Sequence, residues 1–229
     1  MSQLLLDIAP DRQPTLDNYV VGRNLELLSA LRHALFGNNG AGSSSERCFY
    51  VWGETGSGKS HLLQACVHAA LDMAQNAIYT RGSIPPPGMD MGAAVVAVDD
   101  VDELDDAAQI GLFNLYNQMR ENGGLLLVSG RESAVHLKVR DDLRTRLGWG
   151  LVYQVHGLSD EEKALALSQH ARAKGYALPP EVTQYLLRHG RRDLPSLLAA
   201  LDALDALSLS LHRAPSVPLL KEVLQQELK

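Results

Sequence analysis

Cysteine and excess positive charge are both scarce in this 229-residue chain, and each scarcity removes a class of function. The two cysteines, Cys48 and Cys66, form neither a C-x-x-C pair nor a zinc spacing, and both lie in segments that read as buried. A disulfide framework is therefore excluded, and a reducing, cytoplasmic setting is expected. With 21 Lys and Arg against 27 Asp and Glu, the net charge is −6, which argues against a broad basic surface gripping duplex DNA by counterion release. No charge-free stretch of ~18 apolar residues occurs, and the N-terminus lacks the basic region and apolar length of a signal peptide. A soluble protein with no membrane partner is expected. The eight histidines give no H-E-x-x-H, and there is no G-x-S-x-G elbow. Zinc and serine hydrolases are set aside.

What the chain does contain is FYVWGETGSGKSHLLQ, Phe49 to Gln64, with Gly53, Gly58, Lys59 and Ser60 at P-loop spacing. An apolar run predicts a strand ending at Trp52, and good helix formers follow Lys59. Gly56 and Gly58 can turn successive N–H groups inward as a nest for phosphate oxygens, at the positive end of the following helix. Lys59 would reach the β- and γ-phosphates of ATP, and the Ser60 hydroxyl would ligate Mg²⁺.

Upstream, the tail MSQLLLDIAP carries a Q-L-x-L-x-I pattern on Gln3, Leu4, Leu6 and Ile8. An extended peptide of this kind can insert apolar side chains into a partner groove while its glutamine fixes register. Asn24 can cap a helix from Leu25 to about Phe36, and the Gly/Ser stretch 38–45 reads as a spacer.

Downstream, Ala77 to Thr80 reads as a short strand, and the proline-rich segment from Gly82 to Gly92 cannot be regular helix. Ala93 to Val98 predicts a central parallel strand ending in Asp99-Asp100, a Walker B element. Asp99 would hold Mg²⁺ and Asp100 would orient the attacking water. Asp105 or Asp106 can cap a helix running to about Glu121, Leu125 to Val128 reads as a buried strand, and Ser129 at its end either senses the γ-phosphate or merely ends the strand. Leu151 to Val155 completes an expected five-stranded parallel sheet with helices on both faces, an α/β class. From residue 158 the pattern is wholly helical, with helices near 160–174, 180–189, 194–209 and 217–228. The expected division is a tail at 1–10, a nucleotide-binding core at 11–157 and a helical lid at 158–229.

Taken together, these motifs resemble the AAA+ P-loop module of the bacterial replication initiator DnaA, and more closely its shortened relative, the Hda family of regulatory inactivators. TLDNYVVG (Thr15 to Gly22) resembles the adenine-proximal box, which implies Val20 and Val21 at the base. GETGSGKSHLL resembles Walker A, which implies Gly53, Glu54, Thr55, Gly56, Ser57, Gly58, Lys59, Ser60 and His61 around bound ADP or ATP. VVAVDDVD resembles Walker B. LRTRLGWG (Leu143 to Gly150) resembles the box carrying the arginine finger, placed on Arg146, although Arg144 is also basic and either could serve. GRRDLPSLL resembles sensor II, which puts that arginine at Arg192. In this context the tail resembles the hexapeptide that docks on the DNA polymerase sliding clamp. Two departures are the short proline-rich segment, where initiator relatives usually have a helix, and Arg131, where that branch tends to be acidic.

The resemblance implies a clamp-tethered regulator, connected to DNA through the clamp, that triggers hydrolysis of DnaA-bound ATP with Arg146 and so prevents re-initiation of replication. It also implies a homodimer or a higher AAA+ oligomer. The alternatives are an autonomous ATPase or helicase-loader-like factor, and an adaptor without a catalytic role.

Overall fold

A computed structural model describes residues 13–37, 47–86, 88 and 92–226. The tail residues Gln3, Leu4, Leu6 and Ile8 lie outside the described residues. The described residues fall into two compact units, drawn from Met1–Tyr19, Leu27–Trp52 and Lys59–Tyr153, and from Val20–Glu26, Gly53–Gly58 and Gln154–Lys229.

The first unit is built on parallel strands. Strands β1 (Cys48–Trp52), β2 (Ala77–Arg81), β3 (Val95–Asp99), β4 (Leu125–Gly130) and β5 (Leu151–Gln154) lie in the order β2-β3-β4-β1-β5. Every residue of β3 and β4 is buried. That is why both read as continuous apolar runs rather than alternating ones. Strand β4 pairs in parallel with β3 on one side and β1 on the other, so Ser129 lies between the Walker strands as its position in sequence implied.

Helix α1 (Leu25–Phe36) precedes β1, and helices α2 (Lys59–Asp72), α3 (Asp106–Asn122) and α4 (Asp141–Trp149) connect strands. The Asp105 side chain caps α3 by accepting from the Ala108 N–H, and Gly123 ends the helix in a left-handed turn at φ 69°. Leu112, Leu115, Tyr116 and Met119 of α3 pack on Val96, Val98, Leu126 and Val128 in a single apolar cluster. At roughly 1.5–3 kcal/mol for each fully buried large apolar side chain, this cluster dominates the unit's stability. Both cysteines are free and buried, and burial pushes the Cys66 thiol up to about 12. No regular helix occurs among the described residues between β2 and β3.

The second unit is mainly helical, with α5 (Asp160–Ala173), α6 (Pro180–His189), α7 (Leu194–Leu211) and α8 (Val217–Gln226). Ser159 and Glu162 form a reciprocal capping box at the start of α5. Leu167, Val182, Leu186, Leu197, Leu201, Leu204 and Leu220 form its core. Helix α7 is long and apolar enough by composition to cross a membrane, but it contributes Leu197, Leu201 and Leu204 to this core and pairs Asp202 with Lys174 at 2.7 Å and with His170. It is the central helix of a small bundle. It runs two residues beyond the predicted end at 209, and its left-handed cap falls on His212.

Candidate nucleotide site and arginine face

Within the second unit, the loop Gly53–Gly58 has the backbone of a phosphate nest. Gly56 and Gly58 adopt φ of 80° and 103°, in the region that side chains avoid. Gly53 is required for a different reason: a Cβ there would sit 2.4 Å from the Val155 carbonyl oxygen. The Ser57 hydroxyl is buried and has no hydrogen-bond partner among the described residues. A buried hydroxyl beside two left-handed glycines fits an anionic oxygen, so the loop suits the phosphates of a nucleotide.

The same unit contains the segment that the sequence assigned to the base and the start of α7. Val21 accepts a hydrogen bond from the Asn24 N–H at 2.9 Å, and the Asn24 carboxamide exchanges two bonds with the His156 main chain, at 2.8 and 2.9 Å. That pairing fixes the segment containing Val20 and Val21. A Cβ on Gly56 would lie 3.6 Å from that of Asp193, which caps α7 through the Ser196 N–H. Arg192, exposed and next in sequence to Asp193, therefore stands beside the loop.

In the first unit, Lys59 and Ser60 open α2, and Lys59 is buried. Burial lowers the Lys59 pKa, while Asp100, Asp99 and Asp102 act in the opposite direction. The carboxylates thus favour the charged ammonium that burial disfavours. The Asp99 carboxylate is fully buried; it accepts a short hydrogen bond from the Ser129 hydroxyl and a second from the Tyr79 phenol at 2.7 Å. Tyr79 stays protonated, its pKa pushed up to about 12 by burial and by this bond. The Asp100 backbone N–H donates to Ser129 at 3.0 Å, and the Asp100 carboxylate accepts from Arg81 Nε at 2.7 Å. Ser129 thus bridges both acids and is more than a strand terminator. Ser60 and Asp99 are the oxygen-bearing residues that the sequence assigned to Mg²⁺, and both Asp99 carboxylate oxygens already accept hydrogen bonds, one from Ser129 and one from Tyr79.

His61, grouped with the nucleotide ligands on sequence, has Nε2 3.0 Å from the Thr15 carbonyl oxygen, and its ring is 5.5 Å from that of Tyr19. One turn pair further along α2, His68 Nδ1 lies 2.8 Å from the Pro14 carbonyl oxygen. The two imidazoles hold the segment before Tyr19 onto α2. Burial lowers the His61 pKa and so favours the neutral ring that serves here as an N–H donor.

Away from these acids, α4 carries Arg144 and Arg146. Arg144 pairs with Asp141 at 2.7 Å. Arg146 instead lies over three rings, with its guanidinium carbon 4.7 Å from the centroid of Trp149, 5.6 Å from Phe113 and 5.9 Å from Tyr116. Trp149 is 60% exposed. The guanidinium thus lies between a buried ring, Tyr116, and an exposed one, Trp149, and these contacts bias its direction.

Sequence reasoning missed Arg81, Tyr79 and the aromatic support of Arg146. Arg81 pairs in register with Asp99. Extending the predicted β2 by one residue beside β3 would have found it.

Residues 160–224 match the family model described as "Hda, lid domain". A Haemophilus influenzae protein described only as uncharacterized is 34% identical over 235 residues, covering 97% of this chain and 98% of its own length. Domain III of the Thermotoga maritima replication initiation protein DnaA superposes with a TM-score of 0.72 at 18% identity, covering 93% of this chain and 95% of that one. AMPPCP-bound DnaA from Aquifex aeolicus gives 0.71 at 20% identity, covering 86% and 66%.

Proposed function

This chain belongs to the Hda family of AAA+ proteins, and from that membership we propose that it regulates the replication initiator DnaA by stimulating hydrolysis of the ATP that DnaA holds. The observation that carries the proposal is the contrast on α4: Arg144 is bound to Asp141, whereas Arg146 has no carboxylate partner among the described residues and rests on Trp149. In the proposed reaction, water attacks the γ-phosphoryl group of the partner's ATP and negative charge builds on its oxygens. Arg146 donates to those oxygens, an effect worth ~10³ to 10⁵ in rate for an arginine supplied in trans.

The chain's own loop serves as a structural switch in this reading. A bound nucleotide with Mg²⁺ would supply the charge that links loop and lid. By the family's motifs, Gly53–Gly58 would receive the phosphates, Lys59 would offset their charge, Ser60 and Asp99 would hold the cation, Val20 and Val21 would flank the base, and Arg192 would be the lid arginine. The AMPPCP bound to the Aquifex aeolicus DnaA of similar fold supports nucleotide binding.

Gln3, Leu4, Leu6 and Ile8 would tether the protein to the sliding clamp, confining its action to clamps loaded on DNA and raising the effective concentration near the initiator. Clamp capture and initiator-bound ATP hydrolysis, measured with clamp-loaded DNA for the full chain and for one lacking residues 1–8, test this reading. The truncated protein is expected to lose both. Full stimulation without clamp capture would remove the tether from the account.

A further inference from the structure

We infer that a cavity at the base of the sheet binds a small monocarboxylic acid bearing a 2-amino or 2-hydroxy group, with Arg47 as the residue that takes the carboxylate. The site lies apart from Asp99 and Ser129 and does not depend on the function proposed above.

The cavity has a volume of about 440 Å³. Small-molecule sites span roughly 300–1,000 Å³. Arg47 lines it just ahead of β1, Val95 opens β3 there, and Gly124 precedes β4, so the cavity lies at the end of these parallel strands opposite Asp99 and Ser129. From Val95 to Asp99 the strand rises about 13 Å, which keeps a ligand here clear of the acidic pair. Gly92 and Gly123 have φ of 78° and 69°, and a Cβ on either would meet no atom within 4 Å. The backbone leaves this space open.

Arg47 carries the argument. Its carbonyl oxygen accepts from the Leu126 N–H at 2.9 Å, which pins the residue at the start of the β1–β4 ladder. Its side-chain Nε is buried and has no hydrogen-bond partner among the described residues. Burial lowers the Arg47 pKa, and no carboxylate among the described residues offsets that effect. A buried, unpaired cationic N–H is costly, and an anionic oxygen supplies the missing acceptor.

The rest of the lining selects the anion. Helices α1 and α3 both end at the cavity, around Gly37 and Asn122, so their last carbonyl oxygens and the negative ends of their dipoles lie there. They disfavour a second negative charge and accept hydrogen bonds from an ammonium or hydroxyl group. Gln75 and Asn122, both exposed, add carboxamides to the lining. One guanidinium beside such acceptors matches a monocarboxylate with an adjacent donor, and it mismatches phosphate.

The test titrates the ¹⁵N-labelled full chain with lactate, alanine, propionate or inorganic phosphate at fixed ionic strength, following the Arg47 Nε–H and the Gly123 and Gly124 amide resonances by NMR. Lactate or alanine is expected to shift them saturably, with a dissociation constant of roughly 1 mM or tighter. Propionate, which lacks the donor, and phosphate should bind at least about fivefold more weakly. Arg47→Met should weaken binding of the favoured acid roughly tenfold or more. Asn122→Asp, an exposed change that adds a negative charge at the cavity and keeps the test open if Arg47→Met does not fold, should also weaken it. No saturable shift with lactate or alanine overturns the site, as does undiminished affinity in either variant. Equal affinity for propionate or phosphate overturns the assigned ligand class.

Discussion

The guanidinium of Arg146 stacks on the ring of Trp149, 4.7 Å from its centroid, three residues along the same helix. The i to i+3 spacing on α4 puts both on one face, and Phe113 and Tyr116 of α3 complete the support. Contacts of this kind contribute about 0.5–1 kcal/mol at exposed sites, enough to bias the direction of the side chain without locking it. Trp149→Ala is therefore expected to reduce stimulation of initiator ATP hydrolysis by about two- to fivefold at saturating protein. Arg144→Ala should leave it near wild type, because Arg144 is occupied by Asp141. Loss of stimulation in Arg144→Ala with retention in Arg146→Ala would reverse the assignment.

Lys59 is buried at the start of α2, so replacing it should abolish nucleotide binding rather than weaken it slightly. At ADP about one hundred times its dissociation constant, wild type should gain roughly 2.7 kcal/mol of stability, visible as a rise in Tm. Lys59→Ala should show no such rise. An equal rise in both proteins would remove the phosphate role of Lys59.

Ser129 bridges the acidic pair, donating to Asp99 and accepting from the Asp100 N–H. Ser129→Ala leaves both buried groups short of a partner, at a cost of about 1–3 kcal/mol. Calorimetry of the nucleotide-free protein should show a fall in Tm of roughly 2–4 °C for each kcal/mol lost. An unchanged Tm would mean that the bridge contributes nothing to stability.

Asp202 gives the helical unit an acid dependence. Burial opposes its ionisation, but hydrogen bonds and charge from Lys174 and His170 outweigh burial and hold its carboxyl below the ordinary 3.8. A carboxyl lowered in the folded state adds stability above its unfolded pKa, and that stability is lost as pH falls through the folded value. Asp202→Asn should therefore be less stable than wild type in denaturant titrations at neutral pH, with the difference shrinking as pH drops below 3.8. A difference that persists unchanged into acid would contradict this ion-pair account.

The parts of the chain that were legible in sequence are those where a local pattern is the cause of the structure. Continuous apolar runs marked β3 and β4 because both faces of those strands are covered, and Asp105 and Gly123 marked the ends of α3 because capping is local. Glycine spacing marked the loop because its backbone requires φ values that side chains avoid. Arg81, Tyr79 and Phe113 were missed because their partners are distant in sequence and meet only through sheet register or helix packing. His61 shows the opposite limit: its position in the motif suggests the nucleotide, while its bond to Thr15 depends on where the preceding segment lies.

Single-turnover hydrolysis of ATP bound to purified DnaA, with this protein at saturating concentration, tests the trans-acting arginine most directly. Wild type should accelerate hydrolysis, and Arg146→Ala should abolish the acceleration while still binding DnaA and ADP. Equal acceleration by wild type and Arg146→Ala would contradict the account.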